Sequence, residues 1–339
     1  MLLGVPFRPQ LCSVVSKTRG QRERHDTPGA RKVRTGLSRR VLASSLWPLG
    51  LALQVSVVGV AGWSNPDSVG RAMGLTTVVF LLVLLGLEQV LPYRQDWSIR
   101  GDREIWRDLG HAVLYASLGG SLAQLTFLVI FPSALSRLGF RGGMWPASSP
   151  LLLQVLAVIV LGDLLEYWYH RLAHSVPWLW PMHAIHHTPI RLNALKGPRH
   201  HVVYYLGRGV LVWVPLLVIG VPPRLVAWQF VAVVLLGSVA HANIAFRIPT
   251  FAHRILVTPE VHRIHHSIDA RQGNSNYSTV FPIWDLLFGS FTDPRVVEAR
   301  ETGIHQDPIP RRFLSELLSP LTFRRLARSA AASGRGGSS

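Results

Sequence analysis

The chain has 339 residues, a formal net charge of +17 and a hydrophobic content of 48%, which fits one or two domains. Its single cysteine, Cys12, excludes an intrachain disulfide, a cysteine-type zinc site and a cysteine-ligated iron–sulfur cluster. Basic charge combined with long apolar runs favours a membrane protein that contacts anionic lipid, so we expect no nucleic-acid partner. Any metal site in this chain must be built from histidine and carboxylates.

The N-terminal end of the chain is basic and lacks a periodic pattern. Residues 1–40 carry ten Lys or Arg against Glu23 and Asp26, and the charged stretch is too long for a signal peptide. We predict a disordered basic tail over residues 1–45, a membrane-embedded domain over 46–320 and a flexible C-terminal tail over 321–339.

The membrane-embedded domain is predicted from its apolar segments. A helix needs about 20 mostly apolar residues to cross a bilayer, and some of these segments are shorter. The fold class that they indicate is an all-α integral membrane bundle of four to six transmembrane or hairpin helices. The six segments are residues 46–63, 73–92, 111–135, 150–169, 202–220 and 224–240.

The segments also predict a multi-pass topology. Three helical hairpins would return loop 93–110, loop 170–201 and the region after His241 to the side of the basic tail. Loop 93–110 contains four arginines, and positively charged loops favour the cytoplasm. We therefore expect a histidine-rich cap on the cytoplasmic side, because every histidine cluster falls in these regions.

The histidines have the spacing of metal ligands. Residues three or four apart lie on one face of a helix, so HxxxH and HxxHH sequences direct several imidazoles to one point. Imidazole binds iron, zinc, copper and nickel, and a set this large indicates two adjacent ions. Pro181 and the Thr258-Pro259 pair are helix-start signals before two of the clusters. The clusters are His170-x3-His174, His183-x2-His186-His187 and His262-x2-His265-His266, with His201 and His241 between them.

Two acidic residues precede the first cluster on the same predicted helix. Asp163 and Glu166 form one stripe with His170 and His174, at separations of 3, 4 and 4 residues. An acid inside a membrane segment is costly and indicates function. We predict that both acids accept the far N–H of ligating imidazoles. The alternative is an ion pair with Arg171 or another basic residue.

At this point the residues resemble the fatty acid hydroxylase/sterol desaturase superfamily, over about residues 75–320. The resemblance lies in the three histidine motifs, in Asp163-x6-His170, and in Asn276-Tyr277 followed by Pro282-Ile283-Trp284-Asp285-x2-Phe288-Gly289. It implies integral membrane enzymes with a histidine-bound di-iron centre that use O2 as co-substrate. The ligands that it implies are His170, His174, His183, His186, His187, His201, His241, His262, His265 and His266.

One of these ligands has a competitor. Arg199-x-His201 fits the intermediate histidine of the bacterial-type members. The chain has Val202-Val203 where members often have Pro and an acid, which leaves His200 as an alternative to His201.

The predicted activity is that of a non-haem di-iron oxidoreductase that hydroxylates or desaturates a C–H bond of a membrane lipid, such as a sterol or fatty acyl chain. The chain has no haem, flavin or nicotinamide motif, so a separate electron donor of ferredoxin or cytochrome b5 type is expected. The alternatives are a metal-dependent membrane hydrolase, although HExxH is missing, and a metal-binding or transport protein, whose ligands should line a path through the membrane. The sequence specifies neither the lipid nor the oligomeric state.

Overall fold

The computed structural model describes residues 69–115, 121–140 and 143–335, together with a few single residues between 41 and 56. The described residues all belong to one compact unit. The predicted disordered tail and most of the first apolar segment lie outside the described residues. At the other end, the chain is helical up to Arg335, where we had predicted a flexible tail from residue 321. Arginine and alanine, both good helix formers, are frequent in this stretch.

The described residues are helical and contain no β-strand, as the predicted fold class requires. Two isolated bridges, Pro92 with Ile244 and Ser267 with Thr302, join loops. The longer helices are α1 (Val69–Val90), α2 (Ile105–Leu114), α3 (Ser121–Arg137), α4 (Leu151–Ser175), α5 (Trp180–His187), α6 (Val202–Val218) and α7 (Pro223–His241). They are followed by α8 (Pro259–His265), α9 (Ala270–Gly273), α10 (Ile283–Leu287) and α11 (Phe313–Arg335), and short 3-10 turns lie at Gln95–Trp97, Ile99–Gly101, Ala194–Lys196 and Thr250–Arg254.

Two of these helices are long and apolar enough to cross a bilayer. They are α4, with 25 residues, and α7, with 19 residues. Helices α1, α3 and α6 contain shorter apolar stretches. The predicted segments 73–92, 150–169, 202–220 and 224–240 therefore coincide with helices, and the described residues of segment 111–135 lie in α2 and α3 or beside them. The number of crossings and the cytoplasmic side of the cap stay predictions.

Helix α2 differs from the sequence prediction. We predicted an apolar segment from residue 111, but the helix begins at Ile105 and buries the charged residues Arg107 and Asp108. These side chains form ion pairs with Glu316 and Lys196. Because their charges are paired inside the protein, the face of this helix that carries Arg107 and Asp108 packs against protein rather than lipid.

Close helix contacts at two glycines bring the central helices together. A Cβ atom on Gly162 of α4 would lie 2.2 Å from Cγ of Gln229 on α7, and one on Gly209 of α6 would lie 2.1 Å from Phe127 on α3. Only glycine fits at such distances. The packed core around these contacts includes Val158, Ala173, Val212, Trp213, Leu216 and Val226.

Candidate metal centre

Nine of the ten predicted ligands form two groups of buried imidazoles. Within each group, one nitrogen from every ring lies within 4.8 Å of the others. The first group contains His170, His174, His183, His187 and His265. The second group contains His186, His241, His262 and His266. Two such groups fit two metal ions.

The short helices α5 and α8 make the two groups neighbours. Each carries one HxxHH motif, and Pro181 and the Thr258 side chain, which accepts from the Val261 N–H, mark their first turns as predicted. Each motif places its i and i+4 histidines in one group and the remaining histidine in the other. His186 and His265 are the residues that reach across to the opposite group. Helical periodicity thus explains why the two groups lie side by side.

The nitrogen positions fit ligands that share an ion. In the first group, His183 Nε2 lies 3.0 Å from His170 Nε2 and 3.1 Å from His187 Nε2. In the second group, His241 Nε2 lies 3.2 Å from His186 Nε2 and 3.1 Å from His262 Nε2. Two nitrogens that are each about 2.1 Å from one ion, at right angles, lie about 3 Å apart.

The hydrogen bonds of the opposite ring nitrogens support the same interpretation. Nδ1 donates to a backbone carbonyl in His170 (2.6 Å, Tyr277), His241 (2.6 Å, Gly237) and His265 (2.8 Å, Ser275). A carbonyl only accepts, so the Nε2 atoms of these neutral rings carry lone pairs that point into the groups. The buried Nε2 of His265 has no hydrogen-bond partner in the described part of the chain. A cation satisfies such converging lone pairs, so the residues fit a metal.

The electrostatic environment keeps the histidines of the short helices neutral. Burial is the main cause that lowers their pKa well below the usual value, and neighbouring imidazoles lower it further. Neutral imidazole is the form that binds metals. This direction of the pKa shift applies to His183, His186, His187, His262, His265 and His266.

The structure places Asp163 on backbone amides and not on imidazoles. The buried carboxylate accepts hydrogen bonds from the N–H groups of Thr279 (3.3 Å), Val280 (2.9 Å) and Phe281 (2.8 Å). The same loop contains Tyr277, whose carbonyl holds His170. Asp163 therefore fixes the loop that orients a ligand, one step farther from the metal than we predicted.

Glu166 follows the alternative that the sequence left open, an ion pair with a basic residue. Its partner is Arg208 of α6, and Gln229 Nε2 also donates to it at 3.3 Å. Arg171, the partner suggested by proximity in sequence, donates to the Tyr167 hydroxyl instead. The acceptors of ligand N–H groups are the carbonyls described above and, for His174 Nδ1, the Asn274 side chain at 3.2 Å.

His201 is the one predicted ligand that the structure does not bring to either group. Its Nδ1 accepts from the Val203 N–H at 3.2 Å, and its Nε2 donates to the Leu317 carbonyl at 3.1 Å. The ring therefore caps the start of α6. His200, the alternative, stacks on His186 with ring centroids 4.1 Å apart, so it is the residue of this pair that lies beside the second group.

A cavity of about 460 Å³ leads to the two groups. It lies among helices α1, α3, α4, α6 and α7, and aliphatic and aromatic side chains form most of its wall. Rings from both groups reach it, including His170, His183, His186, His241 and His262. Pockets of this size and character bind small apolar ligands, so an apolar molecule in the cavity would lie against both groups.

A buried network of charges supports the loop before His200, and sequence reasoning missed it. Lys196 donates to Asp108 and to Asp102 (2.8 Å), and Arg199 donates to Asp108 (3.1 Å) and to Glu316 (2.8 Å). Its members lie far apart in the chain and have no motif spacing. The only signal in the sequence was charged residues close to apolar segments.

Comparison with known proteins identifies the region that contains both groups. The family model described as fatty acid hydroxylase matches residues 155–290, which include every histidine of the two groups. The resemblance inferred from the motifs is thereby confirmed. No solved structure matches the chain significantly.

Three relatives act on lipids according to their names. The ornithine lipid hydroxylase OlsE of Rhizobium tropici is 29% identical over 83% of this chain and 84% of its own length. A cholesterol 25-hydroxylase-like protein of Danio rerio is 27% identical over 70% of this chain and 85% of its own. Human alkylglycerol monooxygenase is 30% identical over 37% of this chain, which spans only 27% of that protein. These relatives and the family model support an oxidoreductase, and the two long apolar helices fit a membrane protein.

Proposed function

We propose that this chain, whose residues 155–290 belong to the fatty acid hydroxylase family, is an O2-dependent di-iron hydroxylase of a membrane lipid. The observation that carries the proposal is the pair of all-histidine groups at the end of an apolar cavity. The first group would hold one iron ion and the second group the other. When bound, the iron pair supplies the one-electron and oxygen chemistry that protein side chains lack.

The protein itself positions the substrate and excludes water. The cavity wall orients a lipid chain so that one C–H bond lies against the histidine groups. Burial of all nine rings keeps bulk water from the reacting atoms. In the overall reaction one oxygen atom of O2 enters the C–H bond and the other leaves as water. That balance consumes two electrons and two protons.

The electrons must come from another molecule. Among the described residues, the only cluster that could hold a redox centre is the pair of histidine groups, and the chain has one cysteine. We propose a separate donor protein of ferredoxin or cytochrome b5 type. The substrate is proposed to be a polar membrane lipid, because the names of the relatives refer to ornithine lipid, alkylglycerol and cholesterol.

Metal analysis of the purified protein tests the two-ion centre. We expect two iron ions per chain, and one ion fewer in each of the variants His262→Ala and His265→Ala, which belong to different groups. His305→Ala is the matched control, because this exposed histidine belongs to neither group. Zinc in place of iron, with no redox response, would support a membrane hydrolase instead.

The reaction is tested separately with isotopically labelled O2. Lipids extracted from cells that express the chain should gain one labelled oxygen atom, and cells that express His265→Ala should lack this product. A product that carries unlabelled oxygen, or one that has lost two hydrogens, would contradict hydroxylation.

A further inference from the structure

The wall of the cavity contains one buried ion pair, away from the metal groups. Glu166 of α4 accepts from Arg208 Nε of α6, and Gln229 of α7 supports the pair with a hydrogen bond of 3.3 Å to the same Glu166 oxygen. Trp213 donates to Gln229 at 3.3 Å. Glu166 and Arg208 both line the cavity. The pair is therefore held from three helices and faces the space in which a substrate would lie.

Arg208 has hydrogen-bonding capacity that these contacts leave unused. The residue is 6% exposed, and its Nη2 has no hydrogen-bond partner among the described residues. The guanidinium lies 5.8 Å from the Trp213 ring centroid and 5.5 Å from that of Phe230. Aromatic rings attract the charge but offer no lone pair in the plane of the N–H groups. A buried donor without an acceptor is costly, which points to a ligand that supplies the acceptor.

The backbone at Arg208 is also unusual. The residue directly precedes a π-helical turn at Gly209–Trp213, and such turns occur frequently at functional sites. The turn packs against α3 through the close approach of Gly209 and Phe127. The turn fixes the backbone beside Arg208, and Glu166 holds its guanidinium.

We propose that Arg208 binds a neutral oxygen acceptor of the lipid substrate, the carbonyl of an ester or amide. This inference rests on the function proposed above. Glu166 already balances the charge of Arg208, so a carboxylate in the same place would add an unpaired negative charge to an apolar cavity. A carbonyl oxygen satisfies the free N–H without adding charge.

The position of the pair also limits where the substrate is oxidised. Glu166 precedes His170 by four residues on α4, which is a rise of about 6 Å along the helix. A carbonyl held at Arg208 therefore places the nearby carbons of the chain, and not its far methyl end, at the histidine groups.

Equilibrium binding tests the proposal without turnover, so it needs neither O2 nor an electron donor. The probes are methyl hexadecanoate, hexadecane and hexadecanoate, added to the purified full-length protein in detergent. The variant Arg208→Lys keeps a cation for Glu166 but loses the guanidinium fork. We expect about a tenfold loss of affinity for the ester, the size of one hydrogen bond from a charged donor, and unchanged affinity for hexadecane. Arg171→Lys, outside the cavity lining, is the matched control.

Each other outcome overturns the proposal. If Arg208→Lys prefers the ester over hexadecane as strongly as the unmodified protein does, Arg208 does not contact the carbonyl. If the variant loses affinity for both probes equally, the role of Arg208 is structural. Tighter binding of hexadecanoate than of the ester contradicts a neutral acceptor. If Arg208→Lys loses its bound metal, the double variant Glu166→Gln/Arg208→Met, which removes both charges together, carries the same expectation. Metal content and labelled product report on the proposed function independently.

Discussion

Asp163 positions the proposed metal ligands through the backbone. Its carboxylate holds three successive N–H groups of the loop that includes Tyr277, and the Tyr277 carbonyl accepts from His170. The other ring orientations depend mainly on carbonyls and on Asn274. The three amide groups supply hydrogen-bond partners to a carboxylate that is fully buried. The loop and the ligand it carries therefore depend on this one acid.

We expect Asp163→Asn to loosen this loop. The amide group of asparagine places a donor where the backbone also donates, so at least one buried N–H loses its acceptor, at a cost of about 1–3 kcal/mol. Thermal unfolding should shift to lower temperature, and metal occupancy should fall. Asp269→Asn is the control, because Asp269 is an exposed helix cap and asparagine caps equally well. Equal stability and occupancy in both variants would contradict the role of Asp163.

The variant His201→Ala tests whether His201 is a helix-capping residue or a metal ligand. The alanine variant loses the hydrogen bond to the Val203 N–H, so we expect a decrease in stability of about 0.5–2 kcal/mol. It should still bind two metal ions, because its ring lies outside both groups. Metal analysis beside His186→Ala checks this. A loss of one ion from His201→Ala would return this residue to the ligand set.

At the scale of elements, the sequence was informative where a helix decides the geometry. Spacing within α4, α5 and α8 was sufficient to predict eight of the nine clustered histidines, because i and i+4 residues share a face in any helix. His241 stands alone at the end of α7, so no spacing identified it. The same reasoning placed Glu166 and Asp163 correctly on the stripe but not their partners. Arg208 and the loop at 279–281 lie 42 or more residues away in the chain, and no local pattern encodes a contact of that range.

The sequence analysis also did not predict the π-helical turns of α3 and α6. Leu125–Ile130 and Gly209–Trp213 read as ordinary apolar helix, yet they lie against each other at the contact of Phe127 with Gly209. We expect Gly209→Ala to be destabilising by about 1–3 kcal/mol, since its Cβ cannot fit beside Phe127. Thermal unfolding measures the effect.

Two further variants make this expectation specific. Gly86→Ala on α1 meets no atom within 4 Å, so it should leave stability unchanged or raise it by up to about 1 kcal/mol. Combining Gly209→Ala with Phe127→Ala should give a smaller loss than the sum of the single changes, because the two residues share one contact. If the two losses of stability add exactly, Gly209→Ala is destabilising for a reason other than contact with Phe127.

At the scale of the whole molecule, α11 stabilises the region around the two histidine groups, although it contributes no histidine to them. Glu316 is fully buried and accepts from Arg107 of α2 (2.9 Å) and from Arg199 (2.8 Å) in the loop before His200. Phe323 of α11 packs against the buried cluster that Ala184 and Ile185 of α5 form with Ile309. One helix thus connects α2, the loop and a ligand-bearing helix. The sequence analysis divided α11 between the membrane-embedded domain, up to residue 320, and a flexible tail, because the partners of this helix are distant in the chain.

We expect Glu316→Gln to lower the stability of the protein by about 3–5 kcal/mol, since it leaves buried guanidinium groups without their shared anion. Metal occupancy should fall with stability, because the loop before His200 loses its anchor. Glu301→Gln, at an exposed position, should change neither quantity. Unfolding temperature and iron per chain, measured on both variants, decide the matter. Full occupancy in Glu316→Gln would show that the loop holds its position without α11.

The place of Glu316 in the chain has a consequence for biosynthesis. A ribosome makes all nine clustered histidines before it reaches this residue, and Lys196 and Arg199 emerge more than a hundred residues earlier. Until Glu316 arrives, Arg199 lacks one of its anionic partners and the loop around it is incompletely neutralised. We therefore expect the metal groups to close only after the membrane helices have been inserted, so that iron is acquired late. Nascent chains arrested before residue 313 should be inserted but should retain little metal.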